Sequence, residues 1–256
     1  MKYLNDVTKD CVGKVFKSKS SGDFKIVKYN NNRNVEIQFV TTGFETTVEL
    51  GSIRKGDVKD RYLPSVYGVG VIGDKYPSKV NGVKTREYDL WMSMLQRCYS
   101  DTYQKKQPTY EGCEVSNNFK SYEYFYEWCQ NQIGFGIQSF ELDKDLLVKG
   151  NKVYSEDTSI FIPAEINSLL TKRTASRGGH LIGVYWHKRD KAFVAQVNKS
   201  KGKQEWLGVF KTEIEAFNTY KKSKEAFVKE QANKWKGQID IRAYNTLMNY
   251  EVEITD

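Results

Sequence analysis

Residues 181–235 change from a two-residue to a 3.6-residue hydrophobic period near position 212, and this change constrains the fold more than any other feature of the chain. Three runs alternate apolar and polar residues, as half-buried strands do. They cover 181–189, 192–197 and 206–212, with short polar breaks at 190–191 and 199–203. Apolar residues then recur at helical spacing, at Ile214, Phe217, Tyr220, Phe227, Val228 and Trp235. The pattern predicts a three-stranded antiparallel sheet packed on one amphipathic helix, with Thr212 as its N-cap.

A set of short motifs lies within the same stretch. They are Gly183-Val184, the run 193–197, the run 206–210 (Trp-Leu-Gly-Val-Phe), and Thr212 with Glu215-Ala216. Together they resemble the APETALA/ethylene-response-factor DNA-binding domain, a family that also occurs in phage and homing endonucleases. In that family the outer face of the sheet enters the major groove. The resemblance therefore implies base contacts from Tyr185, His187, Gln196, Asn198 and Trp206, although the family usually has arginine at several of these positions.

Positive charge is concentrated at the two ends of the chain. The net charge of +8 divides into +5 over residues 1–80, −4 over 81–170 and +7 over 171–256. Between 171 and 210, nine basic and two acidic residues are interleaved with aromatic ones. Basic side chains on a sheet bind phosphates, and aromatic side chains pack on sugar or base edges. This pattern favours double-stranded DNA as the partner over a merely solvated surface, with phosphate contacts from Lys172, Arg173, Arg177, Lys188 and Arg189.

Residues 140–170 follow a strand–turn–strand–helix pattern. The predicted strands are 140–147 and 159–162, the turn is 149–152, and the helix is 164–170 with Pro163 at its favoured start. Aromatic and basic residues at regular spacing over 91–99 and 119–128 precede this pattern. Together these segments resemble the HNH nuclease finger of phage homing endonucleases. The resemblance covers about residues 87–235, including the pairing of a finger with an APETALA-type domain.

The HNH resemblance implies single-metal phosphodiester hydrolysis with Mg²⁺ or Mn²⁺. Asp143 matches the metal-binding aspartate, Asn167 matches the second ligand, and Lys144 occupies the position of the catalytic histidine. A lysine is protonated at neutral pH unless burial lowers its pKa, so it is a poor activator of water. Three alternatives stay open at this site. Lys144 contacts the phosphate while Asp143, Asp145 and Asn167 hold the metal; or the finger keeps the scaffold without hydrolysis; or 143–145 is a solvated strand end.

The N-terminal part predicts a small β module. Its three alternating runs, 24–29, 35–39 and 44–50, are separated by residues with good turn chemistry. The module would add DNA contacts or dock a host protein. A Gly- and Pro-containing connector follows at 59–82, and aromatic stripes at helical spacing over 88–99 and 122–129 predict packed helices.

Composition narrows the class of protein further. No apolar run is long enough to span a membrane, and no secretory leader is visible. The four cysteines form no Cys-x-x-Cys pair and there are only two histidines, which argues against structural zinc and for free thiols in a reducing cytoplasm. If the protein is phage-encoded, that cytoplasm is the host's.

The expected protein has the α+β class and three modules. These are a small β-rich module at 1–75, a helical and ββα HNH-like domain at 83–170, and an APETALA-type domain at 180–250. The expected function is duplex DNA binding, with metal-dependent nicking as the activity that the HNH resemblance adds. The alternative is a catalytically inactive phage DNA-binding or host-interaction protein, acting as a regulator or anti-host factor.

Overall fold

The computed structural model describes residues 7–171, 179–200 and 203–256, without the side chains of Ser200 and Lys203. It confirms the α+β class, with antiparallel sheets near both ends of the chain and helices between and after them. The chain divides into two compact units, Met1–Glu127 and Trp128–Asp256. The first unit contains the predicted β module and most of the helical segment. The second contains the predicted finger and the C-terminal sheet.

The first unit begins with a four-stranded antiparallel meander. Its strands are β1 (Val15–Lys17), β2 (Asp23–Asn31), β3 (Asn34–Phe39) and β4 (Glu45–Val48), paired in chain order, and α1 (Leu50–Lys55) follows. The sequence predicted β2, β3 and β4 but neither β1 nor α1. Phe24, Ile26, Ile37 and Phe39 project from one side of β2 and β3 and are fully buried. Alternation along two paired strands therefore builds this core, as the period predicts.

Three helices and several short strands follow the meander in the chain, and the last helix extends past Glu127. After the short hairpin β5 (Lys79–Val80) and β6 (Val83–Lys84) come α2 (Arg86–Tyr99), α3 (Asp101–Lys106), the two-residue strand β7 (Glu114–Val115) and α4 (Tyr122–Gln130). Trp91 of α2 is fully buried, and its Nε1 donates to the carbonyl oxygen of Phe119 at 2.7 Å. The aromatic stripes of α2 and α4 are thus core packing, as predicted.

The second unit begins with a strand–strand–helix finger. β8 (Phe140–Asp143) pairs antiparallel with β10 (Ile160–Pro163), and α5 (Ala164–Leu170) follows directly; the short strand β9 (Val153–Tyr154) lies between them in the chain. Pro163 ends β10 and is the N-cap residue of α5, one position earlier than predicted. All four residues of β10 are buried, so the finger has its own apolar centre.

The C-terminal sheet consists of β11 (Val184–His187), β12 (Ala192–Ser200) and β13 (Lys203–Phe210), antiparallel in chain order. It packs on α6 (Glu213–Lys234), which Thr212 and Glu215 cap by reciprocal hydrogen bonds. Gly183 precedes β11 with a φ of 77°, and a Cβ there would lie 2.1 Å from the Tyr220 ring of α6. Only glycine allows this close approach of strand and helix. Ile214, predicted to be buried, is exposed because the buried residues of α6 begin at Ala216.

The finger packs against α6 within this unit. Glu165 of α5 accepts hydrogen bonds from Lys234 and Trp235 at the end of α6, and the Trp235 ring meets Phe140 edge-on at 5.5 Å. The final helix, α7 (Ile241–Met248), contributes Arg242, which donates to the carbonyl oxygen of Asp157 at 3.1 Å. Polar contacts and one aromatic pair thus join the finger to the helix that supports the C-terminal sheet.

Candidate nucleic-acid interface

The strand register separates the C-terminal sheet into two faces. Val184, Ala195 and Val197 pack on α6, and their cross-strand partners follow them to the same side. The opposite side, called the outer face below, consists of residues that alternate with these. Its nine members are Tyr185, His187, Ala192, Val194, Gln196, Asn198, Gln204, Trp206 and Val209. The register therefore brings together on one surface all five residues for which the sequence predicted base contacts.

Trp206 reaches the outer face through a β-bulge. Phe210 pairs with the helix-facing Phe193 and Gly208 with Ala195, so strict alternation would also turn residue 206 towards α6. Instead the register shifts, and Trp206 pairs with Gln196, leaving Leu207 as the extra residue on β13. Gly208 at this bulge has a φ of 136°, a conformation that favours glycine. One inserted residue thus turns the Trp206 indole away from the core.

Exposure shows what the outer face can offer to a ligand. Trp206 keeps 64% of its surface exposed, Val209 47% and Tyr185 37%. Asn198 and Gln204 are exposed and Gln196 is partly exposed. None of the nine residues carries a carboxylate, an ammonium or a guanidinium group. The surface is aromatic, apolar and amide-bearing.

In the described part of the sheet, positive charge lies mainly in the turn from β11 to β12. The turn from β11 to β12 contains Lys188, Arg189 and Lys191, all exposed. Asp190 in the same turn lies 3.0 Å from Arg189 Nε and 3.0 Å from His187 Nδ1, so it offsets part of this charge. Lys199 is turned towards α6, where it lies over the Phe227 ring and pairs with Glu205. The turn therefore supplies most of the free positive charge that the described part of the sheet offers.

Three of the predicted phosphate contacts, Lys172, Arg173 and Arg177, lie outside the described residues. Four members of the outer face were not predicted as contacts, namely Ala192, Val194, Gln204 and Val209. Gln204 follows from the register, because it pairs directly with Asn198. Val209 pairs with Val194 and lies within the predicted half-buried strand 206–212. A bulge is not encoded by periodicity, so alternation counted from Phe210 could not assign Gln204.

In the finger, Asp143 ends β8 and is half-buried. Its Oδ1 accepts hydrogen bonds from the backbone amides of Asp145 and Leu146, at 2.9 and 2.7 Å. Burial raises the pKa of the Asp143 carboxyl, and these amides oppose the rise. The side chain thus stabilises the turn that leaves β8.

Lys144 is 5% exposed and turned into the finger. Its Nζ donates to Asp145 Oδ1 at 2.5 Å and to the carbonyl oxygen of Asn151 at 2.8 Å, and it lies 5.6 Å from the centre of the Tyr154 ring. The Asn151 side chain donates back to the carbonyl oxygens of Lys144 and Val153. The ammonium group is therefore part of the network that closes the loop between β8 and β9, and it does not face solvent where a phosphate would bind.

The two predicted metal ligands are not joined in this arrangement. Asn167 on α5 donates its Nδ2 to Glu141 Oε2 at 2.7 Å, and Asp143 makes the backbone contacts described above. No group of three or more His, Cys, Asp or Glu side chains suited to a metal ion occurs among the described residues. Both predicted ligands thus already have hydrogen-bond partners within the finger. Binding of Mg²⁺ or Mn²⁺ by Asp143 and Asn167 stays a prediction, which a crystal structure soaked with manganese would test.

No protein-family model, curated protein or solved structure matches this chain. The likeness to APETALA-type and HNH-type domains therefore rests on the residues named above. In the described part of the chain, no helix is both long enough and apolar enough to cross a membrane.

Proposed function

We propose that this protein binds double-stranded DNA through the outer face of its C-terminal sheet. The observation that carries the proposal is the position of Trp206, which is 64% exposed at the end of a bulge that turns it away from the core. A chain that only needed to fold would gain by burying an indole, since an exposed tryptophan loses about 2 kcal/mol of burial free energy. An exposed aromatic among amide side chains is typical of a binding surface.

The charge distribution supports nucleic acid as the ligand. Between residues 179 and 211 there are seven Lys and Arg and two Asp and Glu, and the outer face itself carries none of either kind. An uncharged face beside a cationic turn suits a groove, where base edges meet the centre of the surface and phosphates meet its rim. The central strand has nine residues, about 27 Å along its axis, which exceeds the width of the major groove of about 12 Å.

Binding should depend on salt and on where the charge lies. We expect a labelled duplex to bind in 50 mM salt and its affinity to fall about tenfold or more at 200 mM, because bound phosphates release counterions. Fluorescence anisotropy measures this. The variant Lys188→Glu/Lys191→Glu should abolish most of the binding. The matched variant Lys222→Glu/Lys229→Glu changes net charge equally on exposed α6 positions, and it should change affinity much less.

The absence of duplex binding at 50 mM salt would refute the proposal, and equal losses in the two charge variants would argue against this surface. A protein partner bound through the β module would respond far less to salt.

We further propose that the finger acts as a scaffold without hydrolysis by Lys144. The support is the buried ammonium of Lys144, held by Asp145 and Asn151, together with the hydrogen bond that pairs Asn167 with Glu141. A general base must reach the proton that it removes, and a group enclosed in this way does not. This choice favours the second of the alternatives that the sequence left open.

A plasmid-nicking assay tests the finger directly. We expect supercoiled plasmid to stay intact with the wild-type protein in Mg²⁺ or Mn²⁺. The Asp143→Ala variant serves as the matched control, because any contaminating nuclease would act equally in both preparations. Nicking by the wild-type protein that disappears in Asp143→Ala would contradict the scaffold proposal and establish the metal-dependent activity.

A further inference from the structure

Three carboxamide side chains share the outer face. Asn198 on β12 is directly opposite Gln204 on β13, and Gln196, two residues earlier, is opposite Trp206. Directly opposed residues have Cβ atoms about 5 Å apart, and residues two apart on a strand are separated by about 6.6 Å. Asn198 and Gln204 are exposed and Gln196 is partly exposed. The three groups therefore form one cluster of donors and acceptors beside an exposed indole.

Each base presents its own set of donors and acceptors in the major groove, and different side chains match different bases. An asparagine or glutamine amide offers one donor and one acceptor side by side, which matches N7 and N6 of adenine in the major groove. An arginine offers two donors, which match O6 and N7 of guanine. The outer face has three amides and no arginine, and Arg189 lies beyond the end of β11 in the turn.

The apolar members of the face favour the same base pair. Val209 is 47% exposed on the same surface as the amides, and it covers its cross-strand neighbour Val194, which is 2% exposed and therefore leaves Val209 as the apolar contact. Among the bases, thymine presents a methyl group in the major groove, and apolar side chains make contact with it. An adenine–thymine pair thus offers a partner to both kinds of side chain on this face.

We propose that the outer face reads adenine–thymine base pairs in the major groove, with Gln196, Asn198 and Gln204 as the specificity-determining residues. This inference rests on the proposed duplex binding and names the sequence class that the same surface takes. Because 6.6 Å is about two base-pair steps of 3.4 Å, the amides reach two to three adjacent pairs. The site is therefore a short A·T element.

Selection from a randomised duplex library tests the inference. The wild-type protein should enrich sequences that share two or three adjacent A·T pairs. Replacement of those adenines by 7-deazaadenine, which lacks the N7 acceptor, should weaken binding about 5- to 150-fold per lost bidentate contact. The variant Gln196→Ala/Asn198→Ala/Gln204→Ala should bind duplexes with and without A·T pairs equally, at the weaker affinity that the wild type has for those without. Its thermal unfolding should match that of the wild type, because the three amides lie outside the core.

A gain-of-function variant makes the test independent of folding losses. Asn198→Arg should shift the preferred base at one position from adenine to guanine, since it replaces an amide by a guanidinium. The proposed recognition of A·T pairs would be refuted if the wild type enriched G·C-rich sites, or if it bound duplexes without sequence preference. The proposal of duplex binding would stand in both cases. Failure to bind any duplex would overturn both proposals.

Discussion

Alanine at position 206 is expected to weaken duplex binding by about 2 kcal/mol, roughly a thirtyfold rise in Kd, with little change in thermal stability. Trp206 is 64% exposed, so its removal opens no cavity in the core. An exposed tryptophan at the centre of an interface is a typical hot spot, because it buries a large surface at low cost in side-chain entropy. Anisotropy titrations of the wild-type and Trp206→Ala proteins, with melting curves of both, measure the two quantities.

Trp186 provides a matched control on the same sheet. It is 40% exposed, but it is on the α6 side of β11, where its ring meets Phe193 edge-on at 4.8 Å. Trp186→Ala should lower stability and, compared at equal folded fraction, leave DNA affinity almost unchanged. Equal losses of affinity in the two variants would show that the outer face has no special role, and the assignment of the interface would fail.

The elements of the C-terminal sheet and the finger were predictable from sequence because their periods are strong. Two-residue alternation places β11 and β12, and Thr212, predicted as the N-cap, marks the start of α6. The face of Trp206 was predicted correctly only through the family resemblance. Alternation counted from Phe210 assigns it to the core side, and the bulge at Leu207 reverses that assignment.

The candidate site in the finger was harder to predict, because it depends on contacts between residues that are distant in sequence. Matching Asp143 and Asn167 to a motif says nothing about which carboxylate the asparagine meets, and in the structure it meets Glu141. The burial of Lys144 likewise depends on the carbonyl oxygen of Asn151, seven residues away on a loop without a regular period. Local patterns predict elements well, and side-chain pairing across elements much less well.

Lys224 of α6 is another residue whose burial depends on a contact distant in sequence. It is 8% exposed, and its Nζ donates to the carbonyl oxygen of Leu169 near the end of α5 at 2.6 Å. A cation at the C-terminus of a helix is favoured by the helix dipole. Removal of the ammonium group from water outweighs this dipole effect, and burial lowers the pKa of Lys224 from 10.5 to about 8.

This depressed pKa makes the stability of the second unit depend on pH. Between about pH 8 and 10.5 the unfolded chain holds a proton at Lys224 that the folded chain has lost, so the free energy of unfolding rises with pH across that window. The gain from this group is on the order of 3 kcal/mol, fully present above pH 10.5 and absent below pH 8. Urea unfolding at a series of pH values measures it against Lys224→Met, which lacks the titrating group.

We expect Lys224→Met to be nearly neutral or stabilising at pH 7, because a methionine removes the penalty of a buried charge while filling a similar volume. Its stability relative to the wild type should then decline by on the order of 3 kcal/mol as the pH rises to 10.5. Lys222→Met, at an exposed position two residues away, should follow the wild-type profile throughout. Parallel pH profiles for wild type and Lys224→Met would mean that Lys224 stays charged when folded, with its ammonium compensated by the α5 carbonyl groups.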